Sequence, residues 1–505
     1  MDALTNVQNW PATIWILLAT AVITVTVNLL RRPAWPKSSP TLFKQGGGAL
    51  PILGALRFFS DRRNFMVHGT QASRSGNFGF YFGKLQVVGM AGVEGRKTFF
   101  ESRDLNLSEG YNVLFTTTPN PPSSVDEGGE DMKFDKFFSR ALLAMLKREN
   151  FVRNLPTLVG DARAGLERAM TKHGVMDPFD DVYRIVYHLT MRTVGCTEIA
   201  ESPEMLAKTL RLFEVMEESS SPTQVIFPYL WTPNYLRKML AGGRLYYMLD
   251  AIVKGRKKTG RREEDALQFL IDSGESMVRI LSFVLGALFA GQLNSGINAA
   301  WMFIYLAATP DWYRIVQREV DEAVEKHRKS EEQSPTDVLG TLTIDDWEHD
   351  FPMIDLVLRE CIRFQMVGTT FRQNVSGKDV PIGKTGEVVP KDAFAVYLMD
   401  DVHFNPEIYP DPNRWDPGRY LPDRAEDKKQ PHAYLGWGVA RHPCLGMRFA
   451  KLEMSIIGAT FVSMFDYELQ DAKGNPMKTP PLPDRNRHSA HKPKTQMRLK
   501  YKLRA

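Results

Sequence analysis

One cysteine lies where a helix start would stabilise its thiolate. Cys444 is surrounded by glycines, an Arg441-His442 pair precedes it, and an amphipathic helix pattern begins after Gly446. The helix dipole and the free backbone N–H groups at such a helix start favour the ionised thiol. The thiolate then serves as a nucleophile or as a metal ligand, although a lone cysteine is more often a small core residue.

The surroundings of Cys444 favour the ligand over the nucleophile. A cysteine nucleophile needs a positioned histidine and a third residue that orients it, and no orienting residue is identified near His442. A flat, acidic cofactor instead needs glycines that let it lie against the loop and cations that pair with its acidic groups. The residues that meet both needs are Gly436, Gly438, Gly446, Arg441 and His442.

The composition excludes several classes of protein. Of the 505 residues, 43% are hydrophobic and 24% are charged, which is typical of globular proteins. The net charge of +5 is small for this length and does not indicate nucleic-acid binding. Three cysteines cannot form a disulfide framework or a cysteine-rich zinc module, so any thiol chemistry depends on a single cysteine.

Two long apolar runs predict the organisation of the chain. Residues 13–30 carry no charge and precede Arg31 and Arg32, which predicts a retained membrane anchor with the following residues in the cytosol. A cleaved signal peptide is the alternative, but its basic start and its cleavage site are missing. The run 280–310 contains several amide side chains, which favours a buried central helix over a second span. The predicted segments are a lumenal N-terminus at 1–12, an anchor at 13–30, a Pro/Gly-rich linker at 31–55 and one large domain at 56–505.

The cysteine segment resembles the haem-binding loop of the cytochrome P450 family. The family's aromatic residue, glycine, basic residue, cysteine and final glycine correspond in order to Trp437, Ala440, His442, Cys444 and Gly446. Trp replaces the usual Phe, and Ala440 replaces the usual Gly. The Arg441-His442 pair resembles sterol 14-alpha-demethylases, and the Trp-Gly start resembles bile-acid hydroxylases and prostacyclin synthase.

Three further positions carry the resemblance. Glu360 and Arg363 match the family's Glu-x-x-Arg helix motif, although a surface ion pair one helical turn apart is the simpler interpretation. Arg419 follows a Pro-rich stretch and matches the family's third partner. Arg372 stands where the family carries an arginine toward a haem propionate. The resemblance covers the whole chain and is strongest after residue 283.

The resemblance implies a fold, a cofactor and partners. The fold is mainly α with small β-sheets, the cytochrome P450 fold, preceded by one N-terminal transmembrane helix. The cofactor is haem b, with its iron bound by the Cys444 thiolate, which favours O–O cleavage. Electrons come from NADPH through a separate cytochrome P450 reductase, with cytochrome b5 as an optional partner, at the cytosolic face of the endoplasmic reticulum. The implied cofactor-binding residues are Cys444, His442, Arg441, Arg372, Trp437, Gly438, Gly446, Ala290 and Gly291.

The central helix departs from the family pattern at its catalytic position. Most members carry Ala-Gly-x-(Asp/Glu)-Thr, whereas this chain has Leu293 for the acid and Asn294 for the threonine. Asn294 is able to hydrogen-bond an oxygen but does not titrate. The predicted catalytic residues are Asn294, Gln292 and Ser295. The resemblance implies a monooxygenase of secondary metabolism. The departure at Leu293 and Asn294 leaves an isomerase or dehydratase, which needs neither O₂ nor a reductase, as the alternative. An anchored scaffold and a cysteine hydrolase are the rival classes.

The predicted substrate pocket is mostly apolar. It favours a steroid, a terpenoid or another polycyclic natural product, with ordinary core packing as the alternative for each residue. The predicted lining residues are Tyr111, Phe115, Phe289, Met366, Thr369, Thr370 and Phe371. Arg448 and Lys451 after the cysteine are predicted to form a basic docking patch for an acidic reductase.

Overall fold

Helices dominate the structure, a computed structural model that describes residues 12–44, 52–114, 134–170, 173–219, 222–226, 230–487 and 490–504. The first ten helices are α1 (Ala12–Leu30), α2 (Arg57–Ser60), α3 (Arg62–Gln71), α4 (Gly92–Glu101), α5 (Leu107–Leu114), α6 (Phe134–Met145), α7 (Arg148–Ala169), α8 (Asp181–Val194), α9 (Thr197–Ala200) and α10 (Pro203–Glu218). The next ten are α11 (Pro222–Ile226), α12 (Pro233–Thr259), α13 (Ala266–Asp272), α14 (Met277–Ala308), α15 (Pro310–His327), α16 (Pro335–Leu339), α17 (Ile344–His349), α18 (Pro352–Gln365), α19 (Asp400–His403) and α20 (Met447–Met464).

The strands form three small sheets. They are β1 (Phe78–Phe82), β2 (Leu85–Met90), β3 (Leu105–Asn106), β4 (Val175–Met176), β5 (Thr369–Asn374), β6 (Val380–Pro381), β7 (Val388–Val389), β8 (Phe394–Leu398), β9 (Phe465–Asp471) and β10 (Met497–Leu503). The sheet orders are β1-β2-β8-β5-β3, β4-β10-β9 and β6-β7. This arrangement confirms the prediction of a mainly helical fold with small sheets.

The longest helix, α14, runs through the core. Its N-cap Ser276 accepts a hydrogen bond from the backbone of Arg279, and most of its side chains are buried against α8, α18 and α20. Among the described residues, α14 is the helix whose length and composition would suit a membrane span, but more than half of its apolar window is buried in protein. The prediction of a buried central helix is therefore confirmed.

The N-terminal helix α1 coincides with the predicted anchor. It contains no charged residue, and Ile16, Leu17 and Ile23 are exposed along it. Its 19 residues match the length that a bilayer core requires. Its insertion into a membrane remains a prediction.

Candidate active site

The loop before α20 presents Cys444 at the start of a helix. The Cys444 N–H donates to the carbonyl of Trp437 at 2.7 Å, which closes the loop, and the Cys444 side chain is exposed. Burial by the surrounding protein raises the pKa of this thiol, whereas the backbone N–H groups of Gly446 and Met447 lower it. The Cys444 thiol is thus accessible to a metal ion on one side and faces helix-start N–H donors on the other.

Two residues of the loop have left-handed backbone conformations. Gly438 has φ 65°, and a Cβ there would lie 2.2 Å from the carbonyl oxygen of His442, so only glycine fits. Ala440 has φ 53°. This left-handed conformation explains why the family usually has a glycine at this position. The alanine costs about 1 kcal/mol of backbone strain.

Glu360, Arg363 and Arg419 meet in a buried ionic network. Arg363 contacts both carboxylate oxygens of Glu360 at 2.7 and 2.8 Å, and Arg419 Nε lies 3.3 Å from the same carboxylate. All three side chains are almost completely buried, which rules out the surface ion pair. Arg419 also contacts Glu426 at 2.9 Å, so two buried cations face two buried carboxylates.

The network holds the chain segment that precedes the cysteine loop. Arg363 donates to the carbonyl oxygens of His403 and Pro412, and Arg419 donates to those of Pro410 and Asp411. The buried His403 ring in turn accepts the backbone N–H of Leu435 at its Nε2. This histidine was not identified from the sequence, because no motif marks a side chain whose role depends on a single backbone contact.

Several basic and polar groups around the loop have no anionic partner within the described part of the chain. Arg372 is buried, and its Nε has no hydrogen-bond partner among the described residues; burial lowers its pKa to about 10. Burial, then the charges of Arg372 and Arg441, lower the pKa of His442 to about 4. The indole N–H of Trp437 is also buried and unpaired. These unsatisfied donors fit a cofactor with carboxylate groups, as haem has.

The open face of α14 carries Ala290 and Asn294. Both are exposed, although the helix around them is buried. Asn294 Nδ2 donates to the carbonyl oxygen of Ala290 at 3.0 Å, so the side-chain amide hydrogen-bonds the backbone of its own helix one turn earlier. The predicted Gly291 lies beside them, half-buried, and a Cβ there would meet only a methyl group of Thr190, at 3.5 Å.

The other two predicted catalytic residues of α14, Gln292 and Ser295, do not lie on its exposed face. Gln292 is fully buried and donates from Nε2 to the carbonyl of Tyr183 at 2.9 Å. Its side chain lies on a different face of the helix from that of Asn294, because residues two apart on a helix point to different faces. Its catalytic role stays a prediction. Ser295 is half-buried. Burial raises the pKa of the nearby Glu453 carboxyl group on α20 to about 8, and the Thr190 and Ser295 hydroxyl groups act in the opposite direction. Glu453 was not predicted as part of the site, because the sequence pattern of α20 does not show which helix this residue faces.

The predicted substrate residues divide between β5 and the helices around it. Tyr111 donates to the hydroxyl of Thr370 at 3.2 Å, and its ring packs edge-on against Phe371. Thr369 accepts a hydrogen bond from Arg62, a buried arginine that contacts no carboxylate among the described residues. Phe289 and Met366 are half-buried, and Phe289 borders two of the apolar clusters. The predicted Phe115 lies outside the described residues.

The chain belongs to the cytochrome P450 family. A sequence model of the family described as "Cytochrome P450" matches residues 45–496. This membership makes the protein a P450 monooxygenase and implies a haem-thiolate iron.

Several curated proteins are similar over most of their length. The chain is 34% identical to "Cytochrome P450 monooxygenase AacuE" of Aspergillus aculeatus, covering 91% of this chain and 92% of the relative. It is 32% identical to "Cytochrome P450 monooxygenase nsrP" of Aspergillus novofumigatus, over 85% of this chain and 84% of the relative. It is 26% identical to "Obtusifoliol 14-alpha demethylase" of Sorghum bicolor, covering 85% and 87%.

A solved structure has the same fold. "Retinoic acid bound cyanobacterial CYP120A1" superposes with a TM-score of 0.69 and 21% identity, covering 93% of this chain and all of that chain. At this identity the likeness shows the fold alone.

Proposed function

We propose that this protein oxidises a lipophilic polycyclic substrate in secondary metabolism, with Cys444 as the axial ligand of haem b. The observation that carries the proposal is the exposed Cys444 thiol at the start of α20, on a loop that the buried Glu360 network holds in place. The similarity to fungal P450 monooxygenases supports the reaction class. The haem, when bound, supplies the oxygen-activating chemistry of the thiolate-ligated iron.

The chain's own residues would hold the cofactor through its acidic groups. Arg372 and the indole N–H of Trp437 each offer an unpaired buried donor, and Arg441 adds an exposed cation. His442, whose pKa burial and the charges of Arg372 and Arg441 lower to about 4, would offer a ring N–H as a further hydrogen-bond donor.

The substrate would lie beside β5 and the open face of α14. Phe371, Phe289 and Met366 offer apolar surface, and Thr370 with Tyr111 offers a polar edge. This mixture suits a lipophilic molecule with at least one oxygen substituent. The sterol in the name of one similar protein falls in the same broad class of lipophilic compounds.

Electrons would come from NADPH through a membrane-bound reductase in the endoplasmic reticulum, with cytochrome b5 as a second donor. Helix α1 supports the membrane location, with the catalytic domain on the cytosolic side. Arg448 and Lys451 pair with Glu348 and Asp355, yet each keeps more than a third of its side chain exposed. They remain available as part of a cationic docking patch.

The test is turnover by the full-length protein in vesicles with purified reductase, using a panel of sterols, terpenoids and aromatic polycyclic compounds. We expect a product that contains one atom of ¹⁸O from labelled O₂ and that forms only with NADPH and reductase. A product formed at the same rate without them would contradict the proposal.

One observation favours a second candidate, an isomerase or dehydratase without O₂ and reductase. The open face of α14 presents Ala290 and Asn294, neither of which titrates, and Leu293 at the position of the usual acid is buried. The same turnover experiment separates the two candidates, because only the second retains its rate when NADPH is omitted.

A further inference from the structure

An arginine on α3 is buried beside β5 without a carboxylate. Arg62 is 3% exposed, and none of its nitrogen atoms contacts an acidic side chain in the described part of the chain. The arginines near it in sequence differ, because Arg57 pairs with Asp61. Arg63 likewise pairs with Asp400. A buried cation without a counter-ion is costly, so an anionic ligand would stabilise Arg62.

The protein fixes the orientation of the Arg62 guanidinium and leaves one of its nitrogen atoms unused. Nε donates to the carbonyl oxygen of Phe58 at 3.0 Å, and Nη1 donates to the hydroxyl of Thr369 at 3.3 Å. Nη2 has no hydrogen-bond partner among the described residues. Unlike the buried Nε of Arg372, this Nη2 is not completely enclosed by protein. One donor edge of the guanidinium is therefore left for a ligand.

Aromatic rings surround the guanidinium group. Its central carbon atom lies 4.7 Å from the ring centre of Phe58, 5.4 Å from that of Phe59 and 5.7 Å from that of Phe371. Aromatic faces attract a cation but carry no counter-charge. Burial lowers the pKa of Arg62 to about 10, so the group is still a cation at pH 7. A cation in such apolar surroundings attracts an anion more strongly than one in water does.

The position of Arg62 connects it with the pocket proposed for the substrate. It lies against the Phe371 ring, on the face of β5 opposite to Arg372, because neighbouring residues of a strand point to opposite faces. The Phe371 ring also packs edge-on against Tyr111, and Phe289 of α14 borders the same apolar cluster. The unused donor of Arg62 thus lies beside the proposed substrate pocket and apart from the cation proposed to hold the haem.

We propose that Arg62 is a specificity-determining residue whose Nη2 binds a carboxylate group of the substrate. The substrate is then a lipophilic polycyclic acid, whose apolar body lies against Phe371 and Phe289. This inference rests on the oxidation proposed above and deepens it by naming the class of substrate. Hydrogen bonds between charged groups are stronger than neutral ones, so the acid binds more tightly than the same molecule without its charge.

The test compares ligands that differ only in that charge. Isothermal titration calorimetry of the full-length haem protein at pH 7 measures the dissociation constants of abietic acid, lithocholic acid and the methyl ester of each. We expect the wild type to bind at least one acid about tenfold or more tightly than its ester. Arg62→Gln is expected to lose this preference with little change for the ester. A wild type that binds neither acid more tightly than its ester would overturn the proposal.

Further variants separate recognition from a purely structural role. Arg62→Met fills the same space with an apolar chain, so it keeps the test decisive if Arg62→Gln does not fold, and it is expected to lose the preference as well. Arg62→Lys keeps the charge and is expected to retain part of the preference. Arg63→Gln is the matched control, since this adjacent arginine pairs with Asp400, and it is expected to leave the ratio of acid to ester affinity unchanged. An equal loss of affinity for acid and ester in the Arg62 variants, or a preference that survives in them, would contradict the proposal.

The two proposals fail in different ways. If the wild type forms no reductase-dependent product but prefers an acid to its ester, the proposed function fails while the role of Arg62 stands. If the wild type oxidises neutral lipophilic compounds and shows no preference for the acids, the role of Arg62 fails alone.

Discussion

Arg363 donates from Nη1 to the backbone carbonyl of His403 at 2.5 Å, while the ring of His403 accepts the N–H of Leu435. The buried ionic network on α18 is thereby connected to the segment that leads into the cysteine loop. The distance in sequence from Arg363 to Cys444 is large, yet one histidine joins the two. Through this contact the ionic network positions the loop that carries Cys444, the proposed iron ligand. A change in the network is therefore expected to alter haem binding at the loop.

Removing one partner of the network is expected to destabilise the protein strongly. Glu360→Gln leaves Arg363 and Arg419 buried with half of their counter-charge, and breaking a buried pair in this way costs about 3–5 kcal/mol. Chemical unfolding and haem content report the loss. Arg448→Ala is the matched control, because its ion pair with Glu348 is solvent-exposed and is worth less than about 1 kcal/mol. Equal effects of the two changes would contradict a structural role of the network.

The buried His403 predicts a specific sensitivity to acid. Burial, and then the charge of Arg363, lower its pKa from 6.5 to about 3. Because the unfolded chain binds this proton first, the stabilising contribution is complete above pH 6.5 and is lost as the pH falls toward 3. His403→Gln retains an acceptor for Leu435 without a titrating group. The stability of the variant, measured by unfolding between pH 7 and 4, is expected to fall less steeply; parallel curves would show that His403 does not carry the effect.

The left-handed residue Ala440 predicts a stabilising substitution. At φ 53° a glycine avoids the strain of a Cβ, so Ala440→Gly is expected to raise the free energy of unfolding by about 0.5–1 kcal/mol. Gly438→Ala is the matched opposite, because its Cβ would meet the His442 carbonyl oxygen at 2.2 Å. Thermal unfolding of the wild type and of both variants measures the two changes in stability. A destabilised Ala440→Gly would contradict the conformation of the loop.

The cationic patch predicts a salt-dependent effect on electron supply. Reversing Arg448 and Lys451 to glutamate is expected to slow reductase-supported turnover at least several-fold at low ionic strength, and less at high salt. Reversing Lys254 and Arg262, which also form exposed ion pairs, controls for general charge effects. Stopped-flow reduction rates of the haem report the result. Identical rates in both double variants would place the docking surface elsewhere.

The sequence predicts the elements of this site better than their arrangement. The association of Glu360, Arg363 and Arg419 was expected from the resemblance to the family, whose motifs match these three positions. The burial of Gln292 was not predicted, since a one-dimensional pattern does not show which face of α14 is open. His403 was missed because its importance comes from a long-range contact with Leu435 that leaves no local signal.

The central claim is that Cys444 binds haem iron as a thiolate, and one spectrum tests it most directly. The carbon-monoxide difference spectrum of the reduced full-length protein is predicted to show the red-shifted band of a thiolate-ligated haem. Cys444→Ala is predicted to abolish this band, whereas Cys361→Ala, at a buried cysteine, is predicted to retain it in the folded protein. A wild type without the band, or a Cys444→Ala protein that keeps it, would contradict the account.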